Sequence, residues 1–308
     1  MLILGQEHVD PPVEIHHDGE LSTVGFSANG EYLLSGGKKG VQVWRMNDGK
    51  QIARIAEPSV SRLVVSQDGR WIAASTWGSK IIVWDAKTYN KVFSEHGSPA
   101  NRVDFSPDST RLVAAIYSMF TAESHVWDIV TCRRAQALHH DHAMTAKYSP
   151  HGNRIATAGL SGLRIWDSND GRLIRDISDV HATKVFWRCN DHLLVASRRG
   201  DSEVFQQIDA SAGTVLAEWP STVNRISWDI VTPKHGEFIA CSAGSTITFW
   251  DTSTHTQLGC IQHTRDIHSF ALSPDGRFLA IGDKDGKVTI KNLSRFTASI
   301  HLIEFSPI

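Results

Sequence analysis

The chain has 308 residues, 41% of them hydrophobic and 21% charged, with a formal net charge of −2. That balance is ordinary for a globular protein with a sizeable core, and it lacks the broad basic field that nucleic acid or an anionic membrane surface would call for. The four cysteines, Cys132, Cys189, Cys241 and Cys260, form no C-x-x-C pair, no run approaches the roughly 20 apolar residues of a membrane helix, and "MLILGQEHVD" lacks the flank and apolar run of a signal peptide.

A strand comes first, within "DPPVEIHH" at residues 10–17, and its two prolines suit an edge with one open side. Residues 18–57 then lay out a unit that recurs. A run ending in an aromatic precedes a turn ("VGFSANG"), an apolar run follows ("YLLSGG"), a third ends at Trp44 ("VQVW"), and a fourth ("KQIARIA") follows the turn "NDG". Residues 58–97 repeat it with "LVVSQDG", "WIAAST", "IIVWD" at Trp84 and "KVFSEH". Residues 98–140 repeat it with "VDFSPDS", "RLVAAI" and "SHVWD" at Trp127, but insert the long loop "AIYSMFTAES". Residues 141–180 carry "AKYSPHG", "RIATAG", "LRIWD" at Trp166 and "RLIRDI". Residues 181–220 carry "LLVASR", "VFQQID" and "TVLAEW", with Ile208 at the Trp position. Residues 221–263 carry "FIACSA" and "ITFWD" at Trp250, and residues 264–297 carry "SFALSPDG", "FLAIGD" and "VTIKN", with Lys291 at the Trp position. The tail is "ASIHLIEFSPI", residues 298–308.

The Trp positions recur every 39 to 43 residues, so the chain holds seven copies of one supersecondary unit. Each run is short, β-rich and bounded by turn residues, and no window keeps a helical period. Seven four-stranded units cannot each bury both faces alone, but in radial array they cover one another and leave few edges. The expected class is therefore all-β, one domain over residues 1–308. The inter-repeat segments supply six outer strands, leaving the seventh to a chain end. The segment 10–17 is preferred for it. The tail 298–308 is the alternative closing strand, and its Phe305 comes too soon after Lys291, by 14 residues, to open an eighth copy.

With these residues in place, the pattern over residues 11–293 resembles the WD-repeat β-propellers. Five Trp residues stand in register, and four are followed by Asp: Asp85, Asp128, Asp167 and Asp251. The resemblance implies a seven-bladed β-propeller of four-stranded antiparallel blades, its ring closed by pairing of the chain ends. It also implies a structural His nine residues before the first-strand aromatic, met by His17, His96, His139 and His263. In the family that His joins an Asp, a Ser/Thr and the Trp in a hydrogen-bonded tetrad. Here Asp285 alone fits the Asp position well, and its own copy has Lys291 for Trp. No copy holds the full set, so weaker internal bracing is expected.

The sequence shows no catalytic constellation: no G-x-S-x-G elbow, no H-E-x-x-H, no phosphate loop and no dinucleotide fingerprint. The run "HHDH", His139 to His142, lacks an acidic or Cys partner at ligand spacing, and no metal or cofactor is expected. Binding surfaces are the better candidates. Counted back from the first-strand aromatic, the row at minus six includes His142 and His181, and the row at minus four includes His268. The resemblance implies that these rows face the top opening, where they form either a partner-binding rim or a solvated one. The row at minus three reads Thr23, Arg62, Arg102, Thr145, Lys184, Arg225 and Ser269. Four cations in one repeat position form either an electropositive ring suited to acidic peptides or a set of local ion pairs with carboxylates such as Asp104. In the inserted loop, Tyr117, Met119 and Phe120 are either an interface or a flap over a neighbouring blade. Trp77 and Trp219 lie near strand ends and fit either surface.

Three function classes follow. The first is a non-catalytic scaffold or adaptor that binds proteins or peptides on the top face, monomeric by itself, with no nucleic acid or membrane partner, in the cytoplasm or nucleus. The second is a sensor or effector propeller derived from a larger multidomain protein. The third is a propeller enzyme acting in the central channel, for which the first-strand rows offer no convergent acids.

Overall fold

A computed structural model describes residues 13–96, 100–116, 123–199, 202–221, 229–233 and 236–293. Its described residues form 28 strands in seven four-stranded antiparallel sheets, and the chain divides into two compact units. Strands are numbered in chain order.

The first unit spans residues 1–58 and 226–308 and holds three sheets. One is β2 (Leu21–Phe26), β3 (Tyr32–Gly37), β4 (Gly40–Arg45) and β5 (Gln51–Ile55). The next is β22 (Ile230–Val231), β23 (Phe238–Ala243), β24 (Thr246–Asp251) and β25 (Gln257–Gln262). The last is β26 (Ile267–Leu272), β27 (Phe278–Asp283) and β28 (Lys287–Asn292), with β1 (Val13–His16) as its outer strand. Ile15 of β1 lies opposite Val288 and is buried, so the N-terminal strand supplies this blade's outer edge. The tail 298–308 lies outside the described residues.

The second unit, residues 59–225, holds four sheets. They are β6 (Val60–Val65) to β9 (Lys91–His96) through β7 (Trp71–Thr76) and β8 (Lys80–Asp85), and β10 (Ala100–Phe105) to β13 (Arg133–His139) through β11 (Arg111–Ile116) and β12 (Glu123–Asp128). Next come β14 (Ala143–Tyr148), β15 (Arg154–Gly159), β16 (Gly162–Asp167) and β17 (Leu173–Ile177). Last are β18 (Ala182–Trp187), β19 (His192–Arg199), β20 (Ser202–Asp209) and β21 (Val215–Pro220).

Apolar clusters join adjacent sheets. Val83 and Phe93 of one sheet pack with Val103, Leu112 and Trp127 of the next; Ile165 and Leu163 pack with Val185, Leu193 and Ile208. The middle strands thus have both faces covered, which is why "RLVAAI" and "FIACSA" read as continuous apolar runs rather than alternating ones.

The turn after the Trp position explains the Asp that follows it. Asp85, Asp128, Asp167, Asp209 and Asp251 each accept backbone N–H groups two or three residues on, such as Thr88 at 2.7 Å and Thr131 at 2.7 Å. Asp209 does so although Ile208 has replaced its Trp. These backbone bonds hold Asp85, Asp128 and Asp209 below the usual carboxylate range. Five residues after the Trp position the backbone turns left-handed in six repeats, at Gly49, Tyr89, Cys132, Gly171, Gly213 and His255. The outer strand then enters in one register: Trp44 opposes Gln51, Val43 opposes Ala53 and Val41 opposes Ile55, with a bulge between. The same offsets recur in all six blades whose outer strand follows directly in the chain.

Among the described residues a buried polar brace is seen in two blades. In the first unit Ser35 Oγ accepts from Trp44 Nε1 at 2.8 Å and lies 2.8 Å from His17 Nδ1. In the second, Thr157 Oγ1 accepts from Trp166 Nε1 at 2.8 Å and lies 2.6 Å from His140 Nδ1. Burial pushes both histidines down to about 4. Both hydroxyls sit two residues beyond the residue that pairs with Trp; the same place holds Ala74, Ala114 and Cys241 in the other Trp blades.

Three expected structural residues are corrected. His139 is 75% exposed and pairs with Glu123 at 3.3 Å, while His140 takes the buried place. His96 is exposed at the end of β9. The buried histidine comes two residues after the inward residue of the preceding outer strand (Ile15 to His17, Leu138 to His140, Ile261 to His263). Counting back from the next aromatic crosses a connection that is one residue shorter in the β13–β14 and β9–β10 cases, and the count slips. His263 is buried as expected, and burial lowers its pKa. Its blade has Ile281 and Lys291 where a brace needs a hydroxyl and Trp. Asp285 is also corrected: it is exposed and pairs with Arg265, while the buried acid is Asp283, whose Oδ1 accepts the N–H groups of Asp285 and Lys287 at 3.0 Å.

Candidate interaction surface

Every fully described first strand bulges after its first residue, at Ser22, Ser61, Asn101, Met144, Thr183 and His268. That is the minus-four row, so it marks the residue at which the ladder register shifts and the strand bends near its beginning. The minus-three row follows each bulge. In the second unit β6 packs beside β10, β10 beside β14, and β14 beside β18, so Arg62, Arg102, Thr145 and Lys184 stand at one level on four neighbouring strands. Arg62 and Arg102 are half-buried, and Lys184 is buried at 8% exposure. Arg62 donates to the Ser61 carbonyl at 2.8 Å. Asp104 is engaged elsewhere: it takes Lys147 Nζ at 2.6 Å and the Tyr148 N–H at 3.0 Å from the neighbouring sheet. Arg225, Tyr117, Met119 and Phe120 lie outside the described residues.

In three sheets of the second unit the entry to the first strand is tied to the turn between the second and third strands of the same sheet. Trp77 N donates to the Ser59 carbonyl at 2.9 Å and Arg198 N to the His181 carbonyl at 3.3 Å. Ser161 Oγ donates to the Asp141 carbonyl at 2.6 Å, and His181 Nδ1 lies 3.1 Å from the Leu160 carbonyl of the neighbouring sheet. Ser59 and His142 adopt left-handed φ values of 62° and 53° at the minus-six position, where a non-glycine residue carries strain. These bonds fix a rim on which Trp77 is 70% and Leu160 54% exposed. His181 is exposed beside Leu160, and His142 is half-buried. His268 is half-buried at its bulge in the first unit.

Sequence reasoning placed Trp77 near a strand end without choosing its surface, and missed Leu160; its signal is an apolar residue in the polar turn "GLSG". Trp219 belongs to the interior, buried with its ring 5.9 Å from Phe205. The "HHDH" run is divided: His139 faces Glu123, His140 is buried against Thr157, and His142 is on the rim. Among the described residues no group of three or more His, Cys, Asp or Glu is arranged to hold a metal ion, and no helix is long and apolar enough to cross a membrane.

Comparison with known proteins bears on this surface. The family model for the WD domain, G-beta repeat, matches residues 11–45, 49–85 and 255–290, and that for eukaryotic translation initiation factor eIF2A matches residues 77–175. The chain is similar to autophagy-related protein 16 of Arabidopsis thaliana, 23% identical across 88% of this chain and 55% of the relative. It is similar to the transcriptional corepressor LEUNIG_HOMOLOG of the same plant, 24% identical across 86% of this chain and 34% of the relative. The serine-threonine kinase receptor-associated protein of Gallus gallus is 24% identical across 94% of this chain and 73% of its own. The chain thus spans about half, or a third, of the length of the two plant relatives. Among solved structures, the β-propeller domain of Myceliophteria thermophila Cps50 (Swd1) superposes with a TM-score of 0.79 at 17% identity, across 94% of this chain and all of that one.

Proposed function

Because the chain is a seven-bladed WD-repeat β-propeller, we propose that it is a non-catalytic interaction platform, working as one domain, that binds a protein or peptide on the rim carrying Trp77 and Leu160. The observation behind this is the exposure of a large aromatic on a turn pinned by backbone hydrogen bonds. A rigid, exposed indole is the kind of anchor that interface energetics concentrate on, since ordering it costs little. The proposed ligand is acidic. Arg62, Arg102 and Lys184 stand together on the inner strands behind that rim, and Arg225 is their fourth repeat equivalent. The relatives' names, a corepressor and a receptor-associated protein among them, fit an intracellular protein that works through other proteins.

Quantitative affinity purification from the native host tests this, with wild-type chain beside Trp77→Ala and an Arg62→Ala/Arg102→Ala variant. At least one protein recovered by wild type should fall tenfold or more with Trp77→Ala, the scale of one lost anchor of about 1.4 kcal/mol. Its binding to the Arg variant should weaken and lose part of its salt dependence. An unchanged recovered set with Trp77→Ala overturns the rim, and an unchanged salt dependence overturns the acidic ligand.

A further inference from the structure

The second unit carries its charge unevenly. Its four first strands, β6, β10, β14 and β18, hold four cations, Arg62, Arg102, Lys147 and Lys184, against one acid, Asp104. In the first unit the corresponding strands β2, β22 and β26 hold no Lys, Arg, Asp or Glu. The whole chain stands at −2, so this excess of positive charge is local and not a share of a basic protein. The second strands do not offset it: β7, β11, β15 and β19 bring no acid. Asp104 is committed between sheets, to Lys147 Nζ at 2.6 Å and the Tyr148 N–H at 3.0 Å. These eight strands contain no further acid to set against Arg62, Arg102 and Lys184.

All three cations follow the bulge of their strand, on edge strands that lie side by side in the order β6, β10, β14, β18. Thr145 holds the same level on β14 and is buried. Lys184 is 8% exposed, and Arg62 and Arg102 are half-buried. Withdrawing like charges from water at one level is costly, and an anion seated among them offsets that cost. An Arg fork matches the oxygens of a phosphate in pairs, and Lys adds a point charge. A compact ion reaches a lysine this buried, where a chain lying across the rim does not.

We propose that the inner strands of the second unit bind a small anion of the oligophosphate class on Arg62, Arg102 and Lys184. This rests on the reading of those cations as facing an acidic ligand and names the group they take, while Trp77 has no part in it.

Isothermal titration of the full chain with sodium tripolyphosphate, at constant ionic strength, tests it. One ion per chain is expected. Arg102→Ala and Lys184→Met should each weaken it about tenfold or more, the weight of one charge-assisted contact. Thermal unfolding without the ion shows that each variant is folded, and Arg62→Ala replaces either one that is not. Lys91→Ala removes an exposed cation on β9 and should leave binding unchanged. An equal loss with Lys91→Ala means diffuse attraction and overturns the site. Citrate, which offers carboxylates in place of phosphates, should bind severalfold more weakly; equal binding overturns the phosphate class. A wild-type chain that binds no tripolyphosphate, while its rim partner keeps its salt dependence, sinks the ion and leaves the acidic-ligand reading standing.

Discussion

Changing Thr157 to Val keeps the shape of the side chain and removes the hydroxyl at the centre of the His140–Thr157–Trp166 brace. Trp166 Nε1 then has lost its acceptor and His140 Nδ1 its partner, both in fully buried surroundings. A buried polar group left without a partner costs about 1–3 kcal/mol, so two of them cost roughly 2–6, with no cavity to add. With a denaturant slope of a few kcal/mol per M, the urea midpoint falls by about 1 M or more. Thr157→Ser keeps the hydroxyl and loses one methyl, at about 1 kcal/mol. Equilibrium urea unfolding followed by tryptophan fluorescence ranks the three. The reasoning fails if Thr157→Val unfolds at the wild-type midpoint, or if Ser is worse than Val, because then methyl packing and not the hydrogen bond carries the site.

The same braces set an acid limit. His17 and His140 are held at about 4 when folded, against about 6.5 in an unfolded chain, so only the unfolded form takes up the proton between those values. Their contribution is complete above about pH 7 and is lost as pH falls from about 6.5 to 4, by up to roughly 3 kcal/mol for each histidine; urea midpoints that stay level from pH 7 to 4.5 contradict it. Cys132 holds a left-handed φ of 55° where three other repeats have Gly, and Cys132→Gly should raise stability by up to about 1 kcal/mol in the same assay. A loss would show that Sγ contacts outweigh backbone strain. Asp104→Asn removes the anion that holds Lys147 across two sheets; both side chains are partly exposed, so a loss of about 1–2 kcal/mol is expected, shrinking in high salt. A loss that salt leaves unchanged means the Tyr148 N–H bond, and not the ion pair, is what matters.

The repeat was legible because the Trp position and its following Asp are local devices, one a core side chain and the other a turn cap. Both recur wherever the third strand meets its turn, and Asp209 keeps its role even beside Ile208. The closing strand was also legible, because residues 10–17 come directly before the first copy and their two prolines suit an edge with one open side, and β1 does pair with β28. The braces were not. His140 and His139 are adjacent in the sequence, and which one turns inward depends on one residue of connection length. Ser35 and Thr157 were hidden too, because a hydroxyl in an apolar run looks like any small residue until the register sets it beside Trp. That the minus-four row coincides with a bulge was hidden as well, since periodicity counts residues and not shifts of ladder register.

The unvarying register after the Trp position confines change to one place. From the residue that pairs with Trp to the Trp position itself the chain takes 11 residues in the first repeat (Leu33 to Trp44) and 15 in the third (Leu112 to Trp127). The stretch from Trp to its outer strand never changes. Length differences between the repeats thus fall in the turn position that bears Trp77 in one blade and Leu160 in another, while the turn after the Trp position keeps a single length in six blades. A loop can be rewritten there without disturbing a blade, so a new specificity can arise by lengthening one turn while the cores between sheets stay as they are.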